Sequence, residues 1–166
     1  MKSAPRFRLP ATASAIAIAA TTVSLALAGQ AQAQTPFNEL AGTWSGGGQI
    51  RLDDGRTERL SCRAFYSPKE GGAAMGVALR CASSSVKIEL RSSLRYAAGG
   101  RVSGTWEERS YNVGGSVAGR ASSGSINMTF SGGLNGSMSV SYGGASQRVS
   151  LNTGGASSVS VNLSKG

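Results

Sequence analysis

From Leu40 onward the chain alternates apolar and polar residues with a period of two, and the 3.6-residue period of an amphipathic helix is absent. Leu60, Cys62, Ala64 and Tyr66 share one parity, as do Met75, Val77, Leu79 and Cys81. The longest run is Val86, Ile88, Leu90, Ser92, Leu94 and Tyr96. Later runs are Ile126, Met128 and Phe130; Met138, Val140 and Tyr142; Val149 and Leu151; and Val159, Val161 and Leu163. Turn clusters separate them: DDG, PKEGG, SSS, AAGG, SSG, GGLNG, YGGAS and NTGGASS. The pattern predicts an all-β fold, an antiparallel up-and-down meander of about nine or ten short strands forming a barrel or barrel-like sandwich.

Several registers follow from the turns. A turn centred on Gly71 and Gly72 sets Cys62 opposite Cys81, Ala64 opposite Leu79 and Tyr66 opposite Val77. The next turn, at Ala82 to Ser85, sets Leu79 against Ile88 and Val77 against Leu90. Pairing Leu94 with Gly104 brings Arg91 across from Glu107 and Glu89 across from Arg109, opposite charges on the solvent face, and turns Trp106 inward near Ser92. That register also aims Glu108 at the core opposite Leu90, where an unpaired carboxylate is costly. A bulge at Glu107 and Glu108 is the favoured escape; the alternative is a cation or ligand inside. In the first hairpin, Ile50 against Leu60 puts Gly48 near Cys62, Gly46 near Ala64 and Trp44 near Tyr66. The glycines then leave room beside the bridge and let the strand bend.

Alternation alone does not say which face is the core. The opposite parity carries Ser, Asn, Thr, Arg and Glu, aromatics make up 6%, and the chain ends Leu-Ser-Lys-Gly without a terminal aromatic. An apolar interior fits better than the two aromatic girdles of an outer-membrane barrel, which stands as an alternative.

Composition then sets the compartment. Lys2, Arg6 and Arg8 precede an Ala-rich apolar stretch ending in Ala31-Gln32-Ala33, the small-x-small pattern read by signal peptidase. Residues 1–33 are expected to be a signal peptide, 34–40 an N-terminal arm, and 41–166 a single β-barrel-like domain. Removing the leader lowers the formal charge from +9 to +6. This suits solubility and also attracts anionic envelope components such as lipopolysaccharide; specific nucleic-acid binding is not expected. In an oxidising compartment the two cysteines, Cys62 and Cys81, pair as one disulfide contributing about 3 kcal/mol. The registers also line up Arg63, Arg80 and Lys87 on the outer face as a basic patch.

Catalytic chemistry finds little support. No His is present, which removes the base of Ser-His-Asp and Cys-His sites and the His metal ligands. Gly46-Gly47-Gly48 lacks the Lys and helix start of a phosphate loop. Asp53-Asp54-Gly55 lacks the further oxygens of a calcium loop, and Glu107-Glu108 places its carboxylates on opposite faces of a strand. No enzyme activity, cofactor or metal is expected.

Gly42-Thr43-Trp44 on the first strand resembles the opening of lipocalin-like and avidin-like barrels, where the Trp plugs one barrel end. Together with Cys62 and Leu79-Arg80-Cys81 it also resembles the small disulfide-bonded barrel inhibitors of secreted metalloproteases in Gram-negative bacteria. That resemblance implies that residues 34–37 enter a protease cleft. GTWSGGG and GTWEER are similar to segments of uncharacterised small exported bacterial β-barrel proteins, which implies no activity. The expected function is an exported, non-enzymatic, lipocalin-like binding or envelope-interaction protein, periplasmic or secreted. The alternatives are a periplasmic protease inhibitor and a small outer-membrane β-barrel. Trp44, Tyr66, Tyr96 and Trp106 are the candidate lining for a small apolar ligand; an anionic envelope component or an exported protease are the other candidate partners.

Overall fold

A computed structural model of the chain describes residues 35–153 and 157–166; the expected signal peptide and Gln34 lie outside the described residues. A short helix, α1 (Pro36–Leu40), is followed by ten strands: β1 (Gly42–Arg51), β2 (Thr57–Lys69), β3 (Ala74–Ala82), β4 (Lys87–Ala97), β5 (Arg101–Glu108), β6 (Val113–Ser122), β7 (Ser125–Gly132), β8 (Gly136–Gly143), β9 (Ser146–Thr153) and β10 (Ser158–Lys165). Each strand pairs antiparallel with the next, and β10 returns to β1, so the meander closes into a barrel. Closure removes both free sheet edges.

Period two sorts the faces as expected. Along β2, Leu60, Cys62 and Ala64 are buried while Arg59, Arg63 and Phe65 face solvent. The core gathers Trp44, Met75, Leu94, Val102, Ile126, Val161 and their neighbours from every strand. Burying each such side chain contributes roughly 1.5–3 kcal/mol. The outer face of β7 to β10 is a polar lattice, with Asn127, Ser139, Ser150 and Ser160 directly opposite one another in turn. Phe65, Tyr111 and Leu134 are the exposed large apolar side chains among the described residues, so no apolar band girdles the outside.

Cys62 and Cys81 face each other across β2 and β3 and form the disulfide, with Ala64 on Leu79 and Tyr66 on Val77 as expected. Leu94 pairs with Gly104, Ser92 with Trp106 and Arg91 with Glu107. Two other registers differ from expectation by two residues. In β1–β2, Gly48 faces Leu60, Gly46 faces Cys62 and Trp44 faces Ala64. The turn centres on Asp54, whose carboxylate accepts from the Arg56 amide at 2.9 Å, rather than on Gly55. In β3–β4, Leu79 faces Leu90, Val77 faces Ser92 and Cys81 faces Ile88. Here Glu58 draws the turn onto Ser84 and Ser85 by accepting from the Ser83 hydroxyl at 2.6 Å, the Ser85 hydroxyl at 2.7 Å and the Ser85 amide at 3.1 Å. A two-residue slip keeps every side chain on its face, which is why alternation could not detect it.

The glycine run lies within β1, as its sequence context suggested. A side chain at Gly48 would collide with the Ser160 carbonyl of β10, so the closing strands approach where only glycine fits.

Candidate functional site

The two ends of the barrel are built differently. At one end α1 lies across the opening, with Phe37 and Leu40 at 0% and 1% exposure. The segment expected as an arm is therefore a plug from Pro36 onward. Phe37 packs against Tyr96 with the rings tilted by 60° and their centroids 5.8 Å apart. Thr35 donates from its hydroxyl to the Gly72 carbonyl at 3.1 Å, and the Tyr142 hydroxyl donates to the Pro36 carbonyl at 3.3 Å. Trp44 completes the plug: its indole N–H donates to the Leu40 carbonyl at 2.8 Å. Gly72 is required there by its φ of 94° and because any side chain would strike Thr35 and Asn38.

No helix covers the opposite end among the described residues. The inward row Met128, Met138, Leu151, Val159 and Ile50 runs strand to strand from β7 through β10 to β1. Its first four members are only half-buried. Phe130 lies beside this row and meets Trp106 edge to face, centroids 5.6 Å apart; the Trp106 indole N–H donates to the Ser131 carbonyl at 3.2 Å. Tyr111 and Leu134, 61% and 42% exposed, stand on the turns around this rim. A half-buried inward row containing two flexible thioethers can reshape around an apolar guest.

The four candidate aromatics are therefore not one lining. Trp44 and Tyr96 belong to the plug, and Trp106 to the open half. Tyr66 reaches across the interior, where its hydroxyl accepts a hydrogen bond from the Gln147 side-chain N–H at 2.8 Å. Burial pushes the Tyr66 phenol up to about 12 despite that hydrogen bond. Burial, with the charge of Glu39, likewise pushes Tyr142 up to about 12. Gln147 and the Met128–Val159 row were missed by sequence reasoning. Extending the Val149–Leu151 parity back by two positions would have found Gln147, a polar residue on an apolar face.

The three residues of the expected basic patch line one outer depression, with a shifted register. Arg63 and Arg80 are directly opposite, but the two-residue shift sets Arg80 against Glu89 and Lys87 against Ala82. Lys87 pairs along its own strand with Glu89 at 3.2 Å and holds that carboxyl below its ordinary range. These residues, with Ser45 and Ser61, line an outer depression of about 540 Å³ over the disulfide. Neither Arg63 nor Arg80 has an ion-pair partner within 4.0 Å among the described residues.

The expected bulge at Glu108 is absent: β5 stays in register on both sides, with Glu108 against Leu90 and Val113. Its carboxylate, in a residue 9% exposed, accepts from the backbone amides of Glu89 at 2.6 Å and Tyr111 at 2.7 Å. Two charge-assisted hydrogen bonds satisfy it in place. Among the described residues no three His, Cys, Asp or Glu side chains gather as a metal site.

No protein-family model matches the chain, and neither does any curated protein. Solved structures do. Rv2717c from M. tuberculosis superposes with a TM-score of 0.64 at 14% identity, covering 77% of this chain and 93% of that one. The S-type phycobiliprotein lyase CPES from Guillardia theta superposes with a TM-score of 0.54 at 8% identity, covering 78% and 90%. At these identities the likeness is one of fold, a closed β-barrel.

Proposed function

We propose that this protein is an exported, non-enzymatic binding barrel that holds a small apolar ligand in the half of its interior opposite α1. The observation that carries this reading is the contrast between the ends. Inward residues beside the plug, such as Trp44, Leu94 and Ile126, are buried, whereas Met128, Met138, Leu151 and Val159 are only partly buried. Apolar side chains facing an uncovered interior gain free energy when a guest displaces water from them. Export is supported by the leader pattern of residues 1–33 and by the disulfide, which belongs outside the cytoplasm. The lack of any His supports binding over catalysis.

The test is titration of the purified protein with Nile red, an uncharged dye that brightens in apolar sites. Saturable, blue-shifted binding is expected, and Met138→Glu should abolish it while circular dichroism stays unchanged. Absence of saturable binding to the parent protein, or undiminished binding to a folded Met138→Glu variant, overturns the reading.

A second reading, contact with an anionic envelope component, has its own support: Arg63 and Arg80 face each other in the depression over the disulfide, and neither forms an ion pair within 4.0 Å among the described residues. Like charges so placed repel until an anion joins them. Retention on immobilised lipopolysaccharide that survives Arg63→Glu with Arg80→Glu would discard this surface.

A further inference from the structure

The charges of the barrel wall are gathered on one side. The outward positions of β2, β3 and β4 carry Arg59, Arg63, Lys69, Arg80 and Arg91, all exposed. None of them forms an ion pair within 4.0 Å or a side-chain hydrogen bond among the described residues. Carboxylates do reach this wall: by register Glu89 faces Arg80 and Glu107 faces Arg91. Each is matched to another cation, Glu89 to Lys87 at 3.2 Å and Glu107 to Arg109 at 4.0 Å, as Glu70 is to Arg95 at 3.1 Å.

The opposite wall differs. The charged residues of β7 to β10 are Arg148 and Lys165, and both are engaged. Arg148 donates to the Asn162 side chain at 3.0 Å, and the Lys165 ammonium donates to the Glu39 carbonyl at 3.4 Å. Charge carried for solubility alone is interspersed in both signs over the surface. Unmatched cations confined to one wall instead set up a directed field that draws an anionic partner to that side.

Strand β2 sets the shape of this partner. Arg59, Arg63 and Lys69 lie in line on its outward face, and the ten residues from the first to the last span about 33 Å. Arg80 stands beside Arg63 on β3. The wall of a closed barrel is convex across its strands, so a flat bilayer meets few of these groups at once, whereas a linear chain can follow β2 along its length. Phe65 lies on the same line between Arg63 and Lys69 and is 41% exposed; its cross-strand neighbours, Thr43 and Ala78, are too small to cover the ring. An open aromatic ring between cations suits the apolar C–H face of a sugar whose acidic groups meet the flanking Arg and Lys. Surfaces that bind single-stranded nucleic acid stack successive bases on several aromatics, and Phe65 is the one exposed aromatic of β2 to β4 among the described residues.

We infer that the β2–β4 wall binds a linear acidic polysaccharide, with Arg59, Arg63 and Lys69 taking acidic groups along β2 and Phe65 stacking on a sugar ring between them. This rests on the second reading above, an anionic envelope component at Arg63 and Arg80, and adds the class and extent of that component; it is independent of the apolar container.

Calorimetric titration with polygalacturonate, trigalacturonate, neutral dextran and single-stranded oligothymidylate, in low and in high salt, tests this. Polygalacturonate should bind saturably and more weakly in high salt, and dextran should not bind. The trimer, too short to reach from Arg59 to Lys69, should bind about tenfold or more weakly than the polymer. Arg59→Ser with Lys69→Ser, both outside the depression over the disulfide, should lose about tenfold for the polymer, and Phe65→Ser should lose several-fold, with circular dichroism unchanged. Polymer binding that is undiminished in either of these variants overturns the inference. If Arg63→Glu with Arg80→Glu then still abolishes retention on lipopolysaccharide, the second reading stands as a local anion site. Oligothymidylate bound as tightly as polygalacturonate, or a parent protein that binds no polymer yet is retained on lipopolysaccharide, also overturns the inference alone. A parent protein that binds neither polymer nor lipopolysaccharide removes both readings.

Discussion

Glu108 lies directly opposite Leu90 on the inward face of the barrel, yet its carboxylate is fully engaged by the amides of Glu89 and Tyr111. One oxygen holds the neighbouring strand and the other holds the turn into β6, so a charge on the core side works as a clasp at the open rim.

Glu108→Ala should therefore destabilise the fold by about 1–3 kcal/mol, because two amides lose their acceptor. Glu108→Gln, which retains one acceptor oxygen, should cost less. Urea denaturation of both variants checks the order. Equal stability of Glu108→Ala and the parent protein would remove the clasp.

The plug makes a separate prediction. Phe37 is fully buried against Tyr96, so Phe37→Ala should cost about 3–5 kcal/mol, whereas Asn38→Ala, removing only a hydrogen bond to the Gly71 carbonyl, should cost under about 1.5 kcal/mol. A free arm at this position would show neither loss in the same denaturation measurement.

Glu58 predicts a pH dependence. Hydrogen bonds from Ser83 and Ser85 lower its carboxyl from 4.5 to about 2. A carboxyl depressed on folding contributes its stability above the unfolded value near 4.5, and that contribution is lost as pH falls toward about 2. Glu58→Gln should melt at a lower temperature than the parent protein at pH 7, and the gap should close between pH 4.5 and 2. A gap that is constant across this window would show that the carboxylate is not held as described.

Breaking the bridge with Cys62→Ser and Cys81→Ser should lower stability by about 3 kcal/mol, since the linked residues are 19 apart and the freed chain regains loop entropy. Intact mass of the parent protein should rise by two hydrogens on reduction.

Much of the fold was legible because a barrel strand repeats one local instruction. Apolar residues at every second position told which way each side chain points, and glycine- and serine-rich clusters told where the chain turns. The Cys62–Cys81 and Trp106–Ser92 registers followed from turn length and charge matching. Of the candidate site, Tyr66 and Trp106 were identified singly, but their roles were not. Trp44 and Tyr96 were assigned to a lining when they belong to the plug. Lys87 faces Ala82 rather than Arg80 for one reason: a turn drawn by Glu58 to its serines moved the pairing by two residues without changing any face.

What the sequence determined by itself was the strand pattern, the inward face and the availability of one disulfide, all consequences of period two and residue counts. Tertiary structure decided the rest. Whether the meander closes, which end is covered and what Glu108 binds depend on contacts between residues distant along the chain. Phe37 reaches Tyr96, β1 pairs with β10, and Tyr66 meets Gln147 across 81 positions. Alternation carries no information about such partners, because it constrains the side to which a residue points and not the residue it meets.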